Sequence, residues 1–106
     1  MKMTSPVVGG IAQSKQGRDK GRYYLIVGIE QGGLIALTDG NFKKLASPKK
    51  KNIKHLYLLP EKAETIALKL IEGKQVFDTE IYSALKNYNY PKPDGSDAAG
   101  NENKQA

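Results

Sequence analysis

The sequence predicts a small, mainly β domain: five short strands closing into a barrel, followed by two short α-helices and a disordered C-terminal tail. Three observations point to it. Short apolar segments alternate with Gly-rich turns as far as Leu59, the pattern of a small all-β unit. Between Pro60 and Tyr88 the apolar period changes from that of a strand to that of a helix. From Pro91 onward (PKPDGSDAAGNENKQA) there is almost nothing to bury. The expected divisions are a barrel at 5–59, a helical extension packed on it at 60–90, and the tail at 91–106.

Val7 to Ser14 reads as a first strand whose paired glycines, Gly9 and Gly10, signal a bulge or close backbone approach. Tyr23 to Glu30 is the strongest strand. Tyr23, Leu25, Val27 and Ile29 share one face and Tyr24, Ile26 and Gly28 the other, so a position at the centre of the sheet is expected. Gln31-Gly32-Gly33 turns the chain into Leu34 to Thr38. Asp39-Gly40 carries the signal of a hairpin turn, because glycine accepts positive φ without steric cost. Phe42 to Leu45 is expected to be a short return strand, and Lys54 to Leu59 the last one.

Ala63, Ile66, Ala67, Leu70 and Ile71 then lie on one face of a helix, with Pro60 placed to start it and Gly73 to end it. A second helix is expected from Asp78 as N-cap, with Phe77 and Tyr82 as a hydrophobic staple and Ile81, Leu85 and Tyr88 as its apolar face. Neither helix is long enough to be stable alone, so both should pack on the barrel.

With no cysteine among 106 residues, disulfides and thiolate metal sites are excluded. No apolar run is long enough for a membrane-spanning helix, and Lys2 is not followed by the apolar stretch of a secretory signal. A cytoplasmic protein is the expectation. The net charge of +6 is unevenly distributed. Up to Leu59 there are eleven Lys and Arg against three carboxylates; beyond it, six Lys face eight. That segregation marks the N-terminal half as facing a polyanion, since solubility alone does not require it.

The cations cluster at two places. Gly17-Arg18-Asp19-Lys20-Gly21 is a turn whose glycines, Gly17 and Gly21, free the backbone to bend and to approach a partner. Arg18 suits a bidentate contact to phosphate and Lys20 acts as a point charge. Asp19 would repel phosphate, so it is expected to bond its own loop's amides. The same spacing also suits an ordinary hairpin turn with solvated charges. The second cluster is Ser47-Pro48-Lys49-Lys50-Lys51-Asn52, with Lys43, Lys44 and Lys54 nearby. A phosphate backbone would relieve the mutual repulsion of these lysines, although such a run also occurs as a plain solvated loop.

Catalysis has little to stand on. His55 is the only histidine, without the partners of a metal site or a relay, and a structural hydrogen bond is its simplest use. Asp39 is taken by its turn, Glu61, Glu64 and Glu72 lie on the polar side of a helix, and no helix follows Gly9-Gly10 or Gly32-Gly33 to form a phosphate loop. No enzyme activity, cofactor or metal is expected. Of the tyrosines, Tyr24 is expected in the core, while Tyr57 is open to stacking on a base.

Three segments occur in order: Ser14 to Gly21 (SKQGRDKG), Asp39-Gly40, and Pro48 to Leu56 (PKKKNIKHL). Together they resemble small KOW-domain RNA-binding proteins related to KOW-containing large-subunit ribosomal proteins. The likeness covers Val7 to about Leu59. Asn41-Phe42-Lys43-Lys44 departs from the more basic, Arg-containing version of that segment. The resemblance implies an SH3-like barrel that binds RNA, above all ribosomal RNA or the ribosome, and so a role in translation. On that basis Arg18, Lys20, Arg22, Lys43, Lys44, Lys49, Lys50, Lys51 and Lys54 grip the phosphate backbone. Asn52 and His55 add contacts of some selectivity, and Gly17, Asp19, Gly21, Asp39 and Gly40 shape the loops. Recognition should be mainly of RNA shape, by a monomer. The alternative is a protein-interaction adaptor of the transcription or translation machinery, docking through helices 61–88 and sensitive to Tyr57, Ile81 or Leu85.

Overall fold

Tyr23–Ile29 (β2) lies at the centre of the sheet, where its doubly apolar pattern places it. The computed structural model describes residues 5–90, and the expected tail at 91–106 lies outside them. Around β2 the antiparallel strands are β1 (Gly10–Ser14), β3 (Leu34–Thr38), β4 (Lys49–Asn52) and β5 (Leu56–Lys62), in the order β4-β3-β2-β1-β5. Two helices follow, α1 (Glu64–Ile71) and α2 (Asp78–Asn89). Among the described residues no helix is long and apolar enough to cross a membrane.

β4 and β5 are the two edges, and no ladder joins them. Yet only the 3-10 turn Ile53–His55 separates them in the chain. Four strand spacings would put the edges of a flat sheet about 19 Å apart. The four Cα steps from Asn52 to Leu56 reach at most about 14 Å. The sheet must therefore curl strongly, and its two faces differ. The inner face gathers Ala12, Tyr24, Ile26, Ile35, Leu37 and Leu56. The outer face carries Ile11 and Leu25 against Ile66 of α1 and Ile81 and Leu85 of α2. Strand alternation thus sends Tyr24 and Ile26 to one core and Leu25 to the other. Both helices pack on the sheet through this outer core.

The paired glycines of the first strand do what their positions suggest. Gly9 has φ +90°, and a Cβ there would come within 2.2 Å of Ala67 Cβ, so this backbone packs directly on α1. The register with β5 slips between Gly10 and Ala12. β1 itself begins only at Gly10, because Gly9 N–H and C=O leave the ladder to bond Ile26 and Ala63.

Several boundaries differ from expectation. Phe42–Leu45 is not a strand, and the fourth strand is the lysine run itself. Asp39-Gly40 accordingly opens a long β3–β4 connection, not a two-residue hairpin, although Gly40 has the anticipated positive φ of +75°. The last strand starts at Leu56, not Lys54, and continues through Pro60, which an edge strand tolerates. α1 therefore begins at Glu64; it ends before Gly73, whose φ is +74°. Ile71, the last residue of the helix, is 70% exposed, so the buried face of α1 ends at Leu70. At α2 the N-cap is Phe77, not Asp78, and Glu80 Oε2 accepts from its N–H at 3.1 Å. The residues before and four after the cap, Val76 and Ile81, share the outer core, while Phe77 is exposed, so the expected Phe77–Tyr82 staple is displaced by one position.

Candidate nucleic-acid interface

The turn between β1 and β2 is closed by backbone bonds from Gly21 N to Ser14 O (2.8 Å) and from Arg22 N to Asp19 O (2.9 Å). Gly17 and Gly21 both have φ +92°, so both need to be glycine. Asp19 does not bond its own loop's amides as expected. Its Oδ1 lies 2.8 Å from the buried Ser14 hydroxyl and 3.3 Å from Lys51 Nζ, and Oδ2 accepts from the Tyr24 hydroxyl at 2.8 Å. Side-chain donors were within reach because the curl brings β4 back over the turn. Burial opposes its ionisation, but the bonds from Ser14, Tyr24 and Lys51 outweigh that and hold the carboxyl below its ordinary value. Tyr24 responds in the opposite direction, its phenol pushed up by burial and by the carboxylate it faces.

Asp39 organises the next turn. Its side chain is 1% exposed; Oδ1 accepts from Asn41 N (2.9 Å) and Lys43 N (2.8 Å), and Oδ2 pairs with Arg22 Nε at 2.9 Å. Against burial, these three donors lower its pKa. Arg22 also bonds Tyr90 OH at 3.3 Å. Expected to grip phosphate, Arg22 is mainly a structural cation, because a carboxylate this buried must have a partner. Thr38 Oγ1 donates to Lys43 O, which further fixes the turn. Asp78, free of the N-cap, accepts from Leu45 N at 2.8 Å. A Cβ on Gly40 would meet Asp78 O at 2.2 Å, so Gly40 also allows α2 to approach the turn.

Because the lysine run is a strand, its three ammonium groups do not form one patch. Lys49 and Lys51 point to the side of Asp19, at 3.9 and 3.3 Å, whereas Lys50 pairs with Glu30 at 2.8 Å. Lys51 also donates to Gln16 O at 2.9 Å and its side chain is 13% exposed, so it is held within the protein. Asn52 accepts from Lys54 N at 3.0 Å and caps the following 3-10 turn. Lys54 is exposed on that turn. His55 does not make the expected side-chain hydrogen bond: its Nδ1 is buried with no partner among the described residues, and only its carbonyl is used, by Lys15 N.

Between the two turns and β4 lies an open groove of about 480 Å³. Arg18, Arg22, Lys43, Lys49 and Lys51 line it, with Asp19 the one carboxylate in its wall. Arg18 also borders a smaller concavity of about 260 Å³ shared with Lys20. The fold thus brings together cations from 18–22, 43 and 49–51, but places Lys50 on the other side of β4. Lys44, Lys54 and His55 do not line the groove.

Sequence reasoning missed Phe42, assigning it to a short return strand and giving it no part in the site. It lines the groove, is 68% exposed, and has the Arg22 guanidinium 4.6 Å from its ring centre. Asn89 was missed too: its side-chain amide accepts from Tyr23 N at 2.8 Å and donates to Tyr23 O at 3.1 Å, fastening α2 to β2. The Asp39-Gly40 turn signal was the only sequence hint for Phe42; nothing local marked Asn89. Tyr24 is buried, as expected, and Tyr57 is 57% exposed beneath Lys15.

No protein-family model matches the chain, and no significant match to a curated protein is found.

Proposed function

We propose that this chain is a non-catalytic RNA-binding module of the KOW type, an SH3-like barrel that contacts ribosomal RNA through its basic groove. The observation that carries the reading is the groove itself, where five cationic side chains from three separate segments converge around a single carboxylate. The groove is open to solvent, and among the described residues Arg18, Lys43 and Lys49 remain without a close carboxylate in it, which suits a phosphate backbone. The curl of the sheet and the strand order β4-β3-β2-β1-β5 support the SH3-like reading, and the glycine turn at 17–21 between the first two strands supports the KOW resemblance. Crosslinking the protein to RNA in growing cells and sequencing the attached fragments tests this. Reads concentrated on one region of ribosomal RNA are expected; no RNA above background would overturn it.

A second reading, a protein-interaction adaptor, draws on the exposed apolar side chains Leu68, Ile71 and Phe77 on the helical side. Ile81 and Leu85 cannot serve it as expected, because both are in the core. Under this reading, partner binding would depend on Leu68 and Ile71 and be weakly sensitive to salt.

A further inference from the structure

We infer that the groove accepts an unpaired nucleotide, with its base stacked on Phe42 and the adjoining phosphates on Arg18, Lys43 and Lys49. This rests on the RNA-binding reading and replaces recognition of helical shape with recognition of single-stranded RNA.

Phe42 is an apolar ring left 68% exposed in a groove lined by five cationic side chains. It is also held in place. Asp39 bonds the backbone on both sides of it, at Asn41 N and Lys43 N, and the same carboxylate pairs with the Arg22 that lies over the ring. One buried acid thus fixes both the turn and the guanidinium. An exposed aromatic ring on a mobile loop would lose entropy on binding; a ring held this way loses little.

The groove's charges divide accordingly. Arg22 and Lys51 are committed to Asp39 and to Asp19 with Gln16 O. Arg18 and Lys43 are exposed and in none of the ion pairs formed within the described residues, while Lys49 reaches Asp19 only at 3.9 Å. Three available cations lining the same groove as this ring match a nucleotide with its flanking phosphates. Every base has a π-face, so stacking of this kind is tolerant of sequence. In a duplex the bases are stacked on one another and a protein ring cannot reach them without unpairing.

Fluorescence anisotropy with a labelled single-stranded RNA oligomer, and with the same strand annealed to its complement, tests this. Phe42→Ala should weaken single-strand binding about tenfold, within the range found for one stacked base, and leave duplex binding nearly unchanged. Its salt dependence should stay that of the wild type, and Phe42→Tyr should restore affinity. Tyr57→Ala removes a comparably exposed ring outside the groove and should change nothing. If Phe42→Ala leaves single-strand binding intact while Lys49→Ala weakens it and flattens its salt dependence, the stacking proposal is overturned and the RNA-binding reading stands. Equal losses on single strand and duplex overturn it too. A wild-type protein that binds neither RNA overturns both. Thermal melts by circular dichroism confirm that each variant is folded.

Discussion

The Tyr24 hydroxyl donates to Asp19 Oδ2 at 2.8 Å, so the inner core of the sheet directly supports the acidic floor of the basic groove. Tyr24 is 2% exposed, and Asp19 has no other donor from the core except Ser14. Tyr24→Phe keeps the packing and removes this bond. It should cost about 1.5–3 kcal/mol, the range for a hydrogen bond to a charged group, read as a lowered urea midpoint at unchanged slope.

Asp19 and Asp39 both titrate below the ordinary value of 3.8 in the folded chain. Their folded pKa values lie below the unfolded ones, so the stability they contribute is complete above that value and is lost as pH falls through the folded pKa. Unfolding free energy should drop below about pH 4. The drop should be shallower in Asp39→Asn, which starts less stable at neutral pH and converges towards wild type in acid. A parallel pH profile for the two proteins would refute the assignment.

The three consecutive lysines should behave differently. Lys49→Ala should weaken RNA binding and reduce the salt slope by about 0.7, one phosphate contact on a single strand. Lys50→Ala, which removes a surface pair with Glu30, should leave both binding and stability within about 0.5 kcal/mol of wild type. Lys51→Ala should lower stability as well, because it withdraws a donor from both Asp19 and Gln16 O. Equal effects at all three positions, in binding titrations and melts, would mean that the run acts as an undivided patch.

Asn89→Ala should detach the end of α2 by leaving both Tyr23 backbone groups without their partner. The expected loss is about 1–3 kcal/mol. Hydrogen exchange should show it locally, as faster exchange at Tyr23 and in the last turn of α2, with the Leu25–Ile26 amides still protected.

Leu85→Ala opens the outer core at a residue 1% exposed and should cost about 2–5 kcal/mol. Gly40→Ala should be comparably harmful for a different reason. Its backbone sits at φ +75°, and the added methyl would meet Asp78 O and Tyr82 N, so it pushes α2 away from the turn.

What could be read from the chain were those features with a local cause. The two-faced apolar pattern of Tyr23 to Ile29 announced a central strand, and β2 is one. The period of Ile81, Leu85 and Tyr88 announced a helix face, and α2 buries it. Gly17, Gly21, Gly40 and Gly73 marked turns that do require positive φ. The segregation of charge indicated which half carries the basic surface. Where local signals were weak, at Phe42–Leu45 and around Pro60, the boundaries were misplaced. A segment with two apolar and two basic residues has no decided period, and a proline on an edge strand looks the same as one that starts a helix.

What each charge does follows from contacts between distant segments. Lysines in a row look equivalent in sequence, but strand alternation turns Lys50 away from Lys49 and Lys51, and pairing with β3 fixes which way each one faces. Arg22 looks like a free cation until the buried carboxylate of Asp39, seventeen residues away, is found at 2.9 Å. Phe42 looks like part of a short strand until the turn bonded by that same Asp39 leaves its ring in the groove. Most of the elements and the sign of the surface were legible in the chain, because propensity, apolar period and net charge act over neighbouring residues. Which cations are spent inside the fold and which remain for a ligand depends on contacts between distant residues, and those exist only once the sheet has curled.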